Sequence, residues 1–318
     1  MKTIHLTRQY AELLLAGVIV ARATSYLFSK LILTGMGLFN LLGARFALAF
    51  VLLFVLFFPR LKSMSRKTFA AGSVMGGMYF LVVTAELSGL KRMSSGNASF
   101  LVNTAIVLVP LLQALIKKRF PRGKVILSVL LCMFGVAVLT LGGSVGFGTG
   151  ECFCLLAAFL YACTILVTDR LSHGGIDTLA AGVVQVGVIG ALSLTASFLT
   201  ETPRLPNGTM EWIGILMLAV VCSCFGFTLQ PVAQSGTTAE RAGMFCALNP
   251  MVAAALGIVF LHEPFTVKTA VGGILILSGI LLAELPEPKK HLRQAMLFRV
   301  KEKLNDPTNC PMIQQNHF

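Results

Sequence analysis

Long apolar runs alternate with short polar breaks from residue 11 to residue 285. Crossing about 30 Å of hydrocarbon at 1.5 Å per residue takes about 20 residues of helix. Runs near that length fall at 12–33, 38–58, 68–90, 94–116, 123–143, 149–169, 177–199, 211–234, 239–261 and 267–285, bounded by charge, Gly or Pro. The pattern predicts an all-α integral membrane protein of ten transmembrane helices joined by short loops. The run from Glu12 to Leu33 exceeds a signal-peptide core and lacks an A-x-A cleavage pattern, so it is expected to remain as the first span.

The first five runs resemble the last five. Tyr79–Phe100 aligns with Ser223–Met244 at an offset of 144, which pairs Glu86 with Gln230, Ala98 with Ala242, Arg119 with Glu263 and Lys124 with Lys268. Earlier in the chain an offset of 139 pairs Glu12 with Glu151, Arg22 with Tyr161 and Lys30 with Asp169. Each match is weak, but their order at a nearly constant offset is the mark of an internal repeat. We expect repeats at 11–143 and 149–285, followed by a basic tail at 286–318. An odd number of spans per repeat places the two in opposite orientations, so the expected architecture is two inverted five-helix repeats, as in many secondary transporters.

Composition agrees: 56% of residues are hydrophobic and 12% charged, and mean hydropathy is +0.82, against roughly 25% charged in a soluble domain. The net charge of +13 would suit nucleic acid, but the bases sit in clusters between apolar runs, where anionic lipid headgroups are the counter-charge. With the N-terminus inside, 19 Lys and Arg fall on the cytoplasmic side and 5 opposite (Lys30, Lys91, Arg92, Arg204, Lys268), with Arg22 and Arg45 inside spans. That asymmetry predicts both termini in the cytoplasm of a multi-pass cell-membrane protein.

Motifs for catalysis or cofactors are sparse. The C-x-C pairs at 152/154 and 222/224 would point to different faces of a helix, so the cysteines read as packing residues rather than metal ligands. His262-Glu263 begins like a zinc site, but Thr266 stands where the second His is needed. No phosphate-binding G-x-x-x-x-G-K-[ST] loop occurs, so ATP is not expected to act through this chain, and no cofactor is expected.

The ordered features resemble the EamA-type transporters of the drug/metabolite transporter superfamily. They are Lys30 ending the first span, Ala44-Arg45-Phe46 in the second, and small residues opening the fourth and ninth (Ser94–Ser99, Thr237–Gly243). Pro110 and Pro250 follow within those two spans, and Glu263 closes the ninth in HEPFT. The resemblance covers 11–285 and implies ten helices in two five-helix repeats, with export of amino acids, nucleosides or other metabolites. Arg22 departs from it, standing in AGVIVARATSY where relatives usually carry a Trp-Gly step.

Charged and polar groups within spans are the candidate pathway, because a charge at mid-bilayer needs a partner or a water-filled cavity. Arg22, ten residues into the first span, suits an anionic group or a structural pairing. Arg45 is near enough to the outer face to snorkel and reads as a packing anchor or a ligand; Lys30 reads as an interfacial anchor. Glu86 suits proton coupling or a static ion pair. Tyr26, Tyr79, Asn103, Tyr161, Gln185, Gln230 and Asn249 complete the set, as pathway lining or as interhelical hydrogen bonders. In the tail, Leu292, Met296, Val300 and Leu304 recur at four-residue steps among bases, the pattern of an amphipathic helix on an anionic leaflet. The expected function is a secondary transporter exporting a small molecule by alternating access, with a membrane sensor or scaffold and, further off, a membrane enzyme as rivals. A homo-oligomer is compatible with the sequence.

Overall fold

The structure, a computed structural model, describes residues 8–116, 118, 123–140, 148–172, 175–229 and 248–284. Among these, secondary structure is entirely helical: α1 (Arg8–Ile32), α2 (Leu38–Lys62), α3 (Arg66–Leu90), α4 (Ser95–Asn103), α5 (Ala105–Ile116), α6 (Gly123–Thr140), α7 (Thr149–Ser172), α8 (Thr178–Thr200), α9 (Gly208–Met217), α10 (Leu248–Leu261) and α11 (Val267–Glu284). A π-helical segment, Leu218–Phe227, continues α9. Seven helices are long and apolar enough to cross a membrane, and three shorter apolar ones cover Ile126–Val138, Asn249–Leu261 and Val267–Leu282. The tail expected to form an amphipathic helix lies outside the described residues, as does the opening of the ninth expected span.

Polar breaks become helix ends by capping. Ser65 accepts from the Thr68 amide at 3.2 Å, Ser94 from Asn97 at 3.3 Å, and Asp177 from Leu179 and Ala180 at 3.1 and 3.2 Å. Each satisfies amide donors that a helix start leaves over. Two spans depart from a plain helix. The fourth breaks at Thr104, whose hydroxyl bonds the Leu101 carbonyl at 2.7 Å and whose amide bonds the same carbonyl at 3.2 Å, tightening the turn. In the eighth, the π-helical winding begins at Leu218, and nothing in the local sequence marks it.

Apolar and polar positions are distributed inside out. Val51, Leu52, Phe54, Val55, Leu56 and Phe58 of α2 are exposed, while Asn40 and Arg45 of the same helix are buried. A water-soluble bundle would hide such a patch, whereas hydrocarbon is its natural solvent.

The helices of the first half, α1–α6, and of the second, α7–α11, interleave. α2 runs antiparallel to α8: Asn40 Oδ1 takes the Ser197 hydroxyl at one end and Arg60 pairs with Asp177 at 2.7 Å at the other. α6 and α11 are antiparallel too and touch backbone to backbone. A Cβ on Gly135 would lie 2.8 Å from the Gly272 carbonyl, and one on Gly279 would lie 2.8 Å from the Ser128 carbonyl. α4 and α10 form a third such pair, with Ser95 against Glu263 and Asn103 against Asn249. Other contacts between the halves include two matched couples, α1 on α10 with α7 on α4–α5, and α3 on α7 and α8 with the α9–π segment on α1 and α2, while α11 also touches α4 and α5.

At one end of the bundle, carboxylates of the second half hold the helix ends of the first. Glu201 accepts from the Phe39 and Asn40 amides at 3.1 and 2.9 Å, opening α2. Glu263 takes the Ser95 amide at 2.9 Å and its hydroxyl at 3.0 Å, opening α4. Glu211 takes Arg204 at 2.9 Å, and Arg204 reaches the Gly35 carbonyl beyond α1. A carboxylate at a helix N-terminus gains from both the amides and the helix dipole.

Candidate functional site

α1 turns Arg22, Ser25, Tyr26 and Ser29 to one side, at the spacing of a single helical face, and they line a cavity in the bundle. α3 supplies Val82, Val83, Glu86, Leu87 and Leu90 opposite, and α2 supplies Arg45. Val102 and Asn103 of α4, Tyr161 of α7, Phe227 at the end of the π-helical segment and Asn249 of α10 complete the wall. Both halves therefore contribute. The volume that a water-sized sphere can occupy among these residues is about 30 Å³, room for a few water molecules.

Two guanidinium groups face one aromatic ring. Arg22 Cζ lies 4.8 Å from the Phe227 centroid and 5.7 Å from that of Tyr161, and its Nη1 donates to the Tyr161 hydroxyl at 3.3 Å. Arg45 Cζ lies 4.8 Å from Phe46 and 5.9 Å from Phe227, while its Nε donates to Ser223 Oγ at 2.8 Å. The negative faces of the rings compensate for the hydration these cations lose. Phe227 is itself held edge-on by Phe46 and Tyr79, at 5.6 and 5.4 Å between centroids.

The acceptor groups sit further along the same cavity. Glu86 and Tyr26 line the same cavity, and Glu86 lies in electrostatic range of both Arg22 and the Tyr26 hydroxyl. Asn103 Nδ2 donates to the Ser99 carbonyl at 2.8 Å, and Asn249 Nδ2 approaches Asn103 Oδ1 at 3.5 Å. Asn249 Oδ1 is buried without a hydrogen-bond partner.

Of the sequence-derived candidates, Arg22, Tyr26, Arg45, Glu86, Asn103, Tyr161 and Asn249 meet in this one cavity. Tyr79 stands behind it, 6.0 Å from the Tyr161 ring. Gln185 is buried where α8 crosses α3, with its main-chain carbonyl close to Gly76, and does not line the cavity. Gln230 lies outside the described residues. Arg45 does not snorkel to the outer face: it is 4% exposed and turned into the bundle by Ser223. Lys30 donates to the Leu90 and Met93 carbonyls, closing the end of α3. Cys222 and Cys224 do diverge, toward the Ala21 and Ala49 carbonyls.

Sequence reading missed Phe227, Ser25, Ser29 and Ser99. The two α1 serines carried a usable signal, because they stand three and seven residues after Arg22. Phe227 carried none: its direction depends on the π-helical winding before it.

The model of the EamA-like transporter family matches residues 9–141 and 148–285. An uncharacterized transporter of Archaeoglobus fulgidus is 27% identical over 282 residues, covering 85% of this chain and 96% of its own. The uncharacterized transporter YoaV of Bacillus subtilis is 24% identical over 252 residues, covering 76% of this chain and 85% of its own. A crystal structure sharing 19% identity superposes with a TM-score of 0.64 over 87% of this chain and 97% of that one, a likeness of fold.

Proposed function

The chain belongs to the EamA-like transporter family, and from that premise we propose that this multi-pass membrane transporter exports a small metabolite, an amino acid, nucleoside or related compound, by alternating access. The cavity carries the reading: its wall is built from both halves and combines two arginines, a glutamate, two tyrosines and two asparagines with apolar side chains. A site made of helices from opposed halves can be opened to either side by rocking one half against the other. Polar groups at that depth of a bilayer protein are costly unless they serve a pathway or one another.

In this reading the chain has ten spans in two inverted five-helix repeats. The separate family matches to 9–141 and 148–285 support it, as do the antiparallel pairs α2 with α8, α4 with α10 and α6 with α11 and the matched couples of contacts. Exchange of two such halves is a two-fold operation. The 19 to 5 distribution of Lys and Arg supports a cell-membrane protein with both termini cytoplasmic. The end bearing Glu201, Glu211 and Glu263 then faces outward.

Reconstituted vesicles and a panel of radiolabelled amino acids, nucleosides and organic cations test the function. The expected result is saturable flux of one class, inhibited by its unlabelled member. Binding of a panel member without flux of any would turn the reading toward a sensor.

A further inference from the structure

We infer that Glu201 and Glu263 latch the outer gate of this transporter: they hold the bundle shut at one end through bonds between the halves, and opening toward that side requires both to let go. The inference rests on the alternating-access reading and on its orientation, with this end outward.

The two carboxylates are placed alike by different loops. Glu201, following α8, binds the Phe39 and Asn40 amides at the start of α2. Glu263, following α10, binds the amide and hydroxyl of Ser95 at the start of α4. Each of these helix starts therefore takes its charged cap from the opposite half. Each carboxylate also sits in a seat left by a glycine, since a Cβ on Gly37 would run into the Glu201 carboxylate and one on Gly257 into that of Glu263. Glu263 is folded back onto α10 by a turn in which His262 has a φ of 51°, in the left-handed region that a residue with a Cβ adopts at a cost. Its amide donates to the Gly257 carbonyl at 3.1 Å.

Around Glu201 the joint is reinforced. Asn40 Nδ2 donates to the Thr202 carbonyl at 3.1 Å, and Asn40 Oδ1 accepts from the Arg204 amide at 3.1 Å. The Arg204 guanidinium, held by Glu211, reaches the Gly35 carbonyl. Beneath these bonds Ser29 of α1 lines the cavity and is 2% exposed, so this end is shut.

Any motion that parts the halves here separates Glu201 from α2 and Glu263 from α4, because each bond crosses the joint. Amides and carboxylates then pass to water, so the open state loses the charge-assisted geometry and the interaction with the helix dipole but leaves no group unpaired. A difference of that size sets the populations of shut and open states without locking either.

A membrane-impermeant maleimide applied to intact cells, with labelling read residue by residue by mass spectrometry, tests the latch on the full-length protein. Ser29→Cys reports access to the cavity from the outer end, and Thr34→Cys, in the exposed turn after α1, reports sidedness. Ser29→Cys is expected to react slowly beside Thr34→Cys, and about two- to thirtyfold faster once Glu201→Ala or Glu263→Ala is added, the span that loss of a helix cap covers. Gly257→Ala, which displaces the Glu263 carboxylate and keeps its charge, should act in the same direction, while buried Cys132 stays unreactive throughout. Unchanged labelling of Ser29→Cys in both glutamate variants would overturn the inference. So would labelling that rises equally at Cys132, because the carboxylates would then hold the fold and not a gate. Thr34→Cys reacting only in inverted vesicles, with Ser29→Cys accelerated from that same side, would overturn the orientation and leave the latch standing. Acceleration in a protein that carries no member of the solute panel would keep the latch and remove the transport reading.

Discussion

The two halves of the bundle pack on each other along their helices but bring different chemistry to the cavity. Among the described residues, the charged side chains lining the cavity, Arg22, Arg45 and Glu86, come from the first half, and the second contributes Tyr161, Phe227 and Asn249. Arg22 of the first half and Tyr161 of the second, 139 residues apart, touch each other at 3.3 Å. The contrast teaches that the packing surfaces and the working surface answer to different demands. Gly135 and Gly279 each meet a main-chain carbonyl of the partner helix, so packing treats the halves alike.

Substitutions on the two sides of that contact probe the contrast. Arg22→Gln removes charge-assisted bonds worth about 1.5–3 kcal/mol and should lower flux by about ten- to a hundredfold, with membrane level and melting behaviour nearly unchanged. Tyr161→Phe removes only a neutral hydroxyl and should lower it by less than about tenfold. Equal losses from the two, measured as initial rates in vesicles, would erase the chemical difference between the halves.

The packing surfaces predict the opposite. Gly135→Ala and Gly279→Ala each force a methyl group against backbone of the partner helix and should destabilise the protein by similar amounts, about 1–3 kcal/mol each. Thermal unfolding in detergent measures both, and a large disparity would break the equivalence of the α6–α11 contact. The smallest effect is expected at Glu263. Glu263→Ala removes the carboxylate that caps α4, at a cost of about 0.5–2 kcal/mol, with amide exchange at Ser95 and Gly96 rising ahead of the rest of the bundle.

The spans were legible because hydrocarbon demands a fixed length of apolar helix, and the expected starts at 38, 123, 149 and 267 coincide with those of α2, α6, α7 and α11. Arg22, Glu86 and Asn249 were legible for a related reason, since polar side chains within apolar runs must meet somewhere. What was not legible depends on local winding and on distant contacts. The break at Thr104 arises from a hydroxyl competing for its own helix's carbonyl, and the direction of Phe227 from a π-helical segment. Arg45 was misjudged because its depth in the sequence suggested a route to the surface, while Ser223, 178 residues away, turns it inward. Glu263 was noticed as the close of the ninth span, but its task at the start of α4 belongs to the tertiary structure.

Two opposed halves around one cavity fix which side of the membrane each junction of the chain faces. Reporters active on one side of the membrane only are fused after Phe147, between the halves, and after Phe318. The expected signals are external at Phe147 and cytoplasmic at Phe318. Signals from the same side at both positions would mean that the halves are parallel, and would contradict the opposed arrangement.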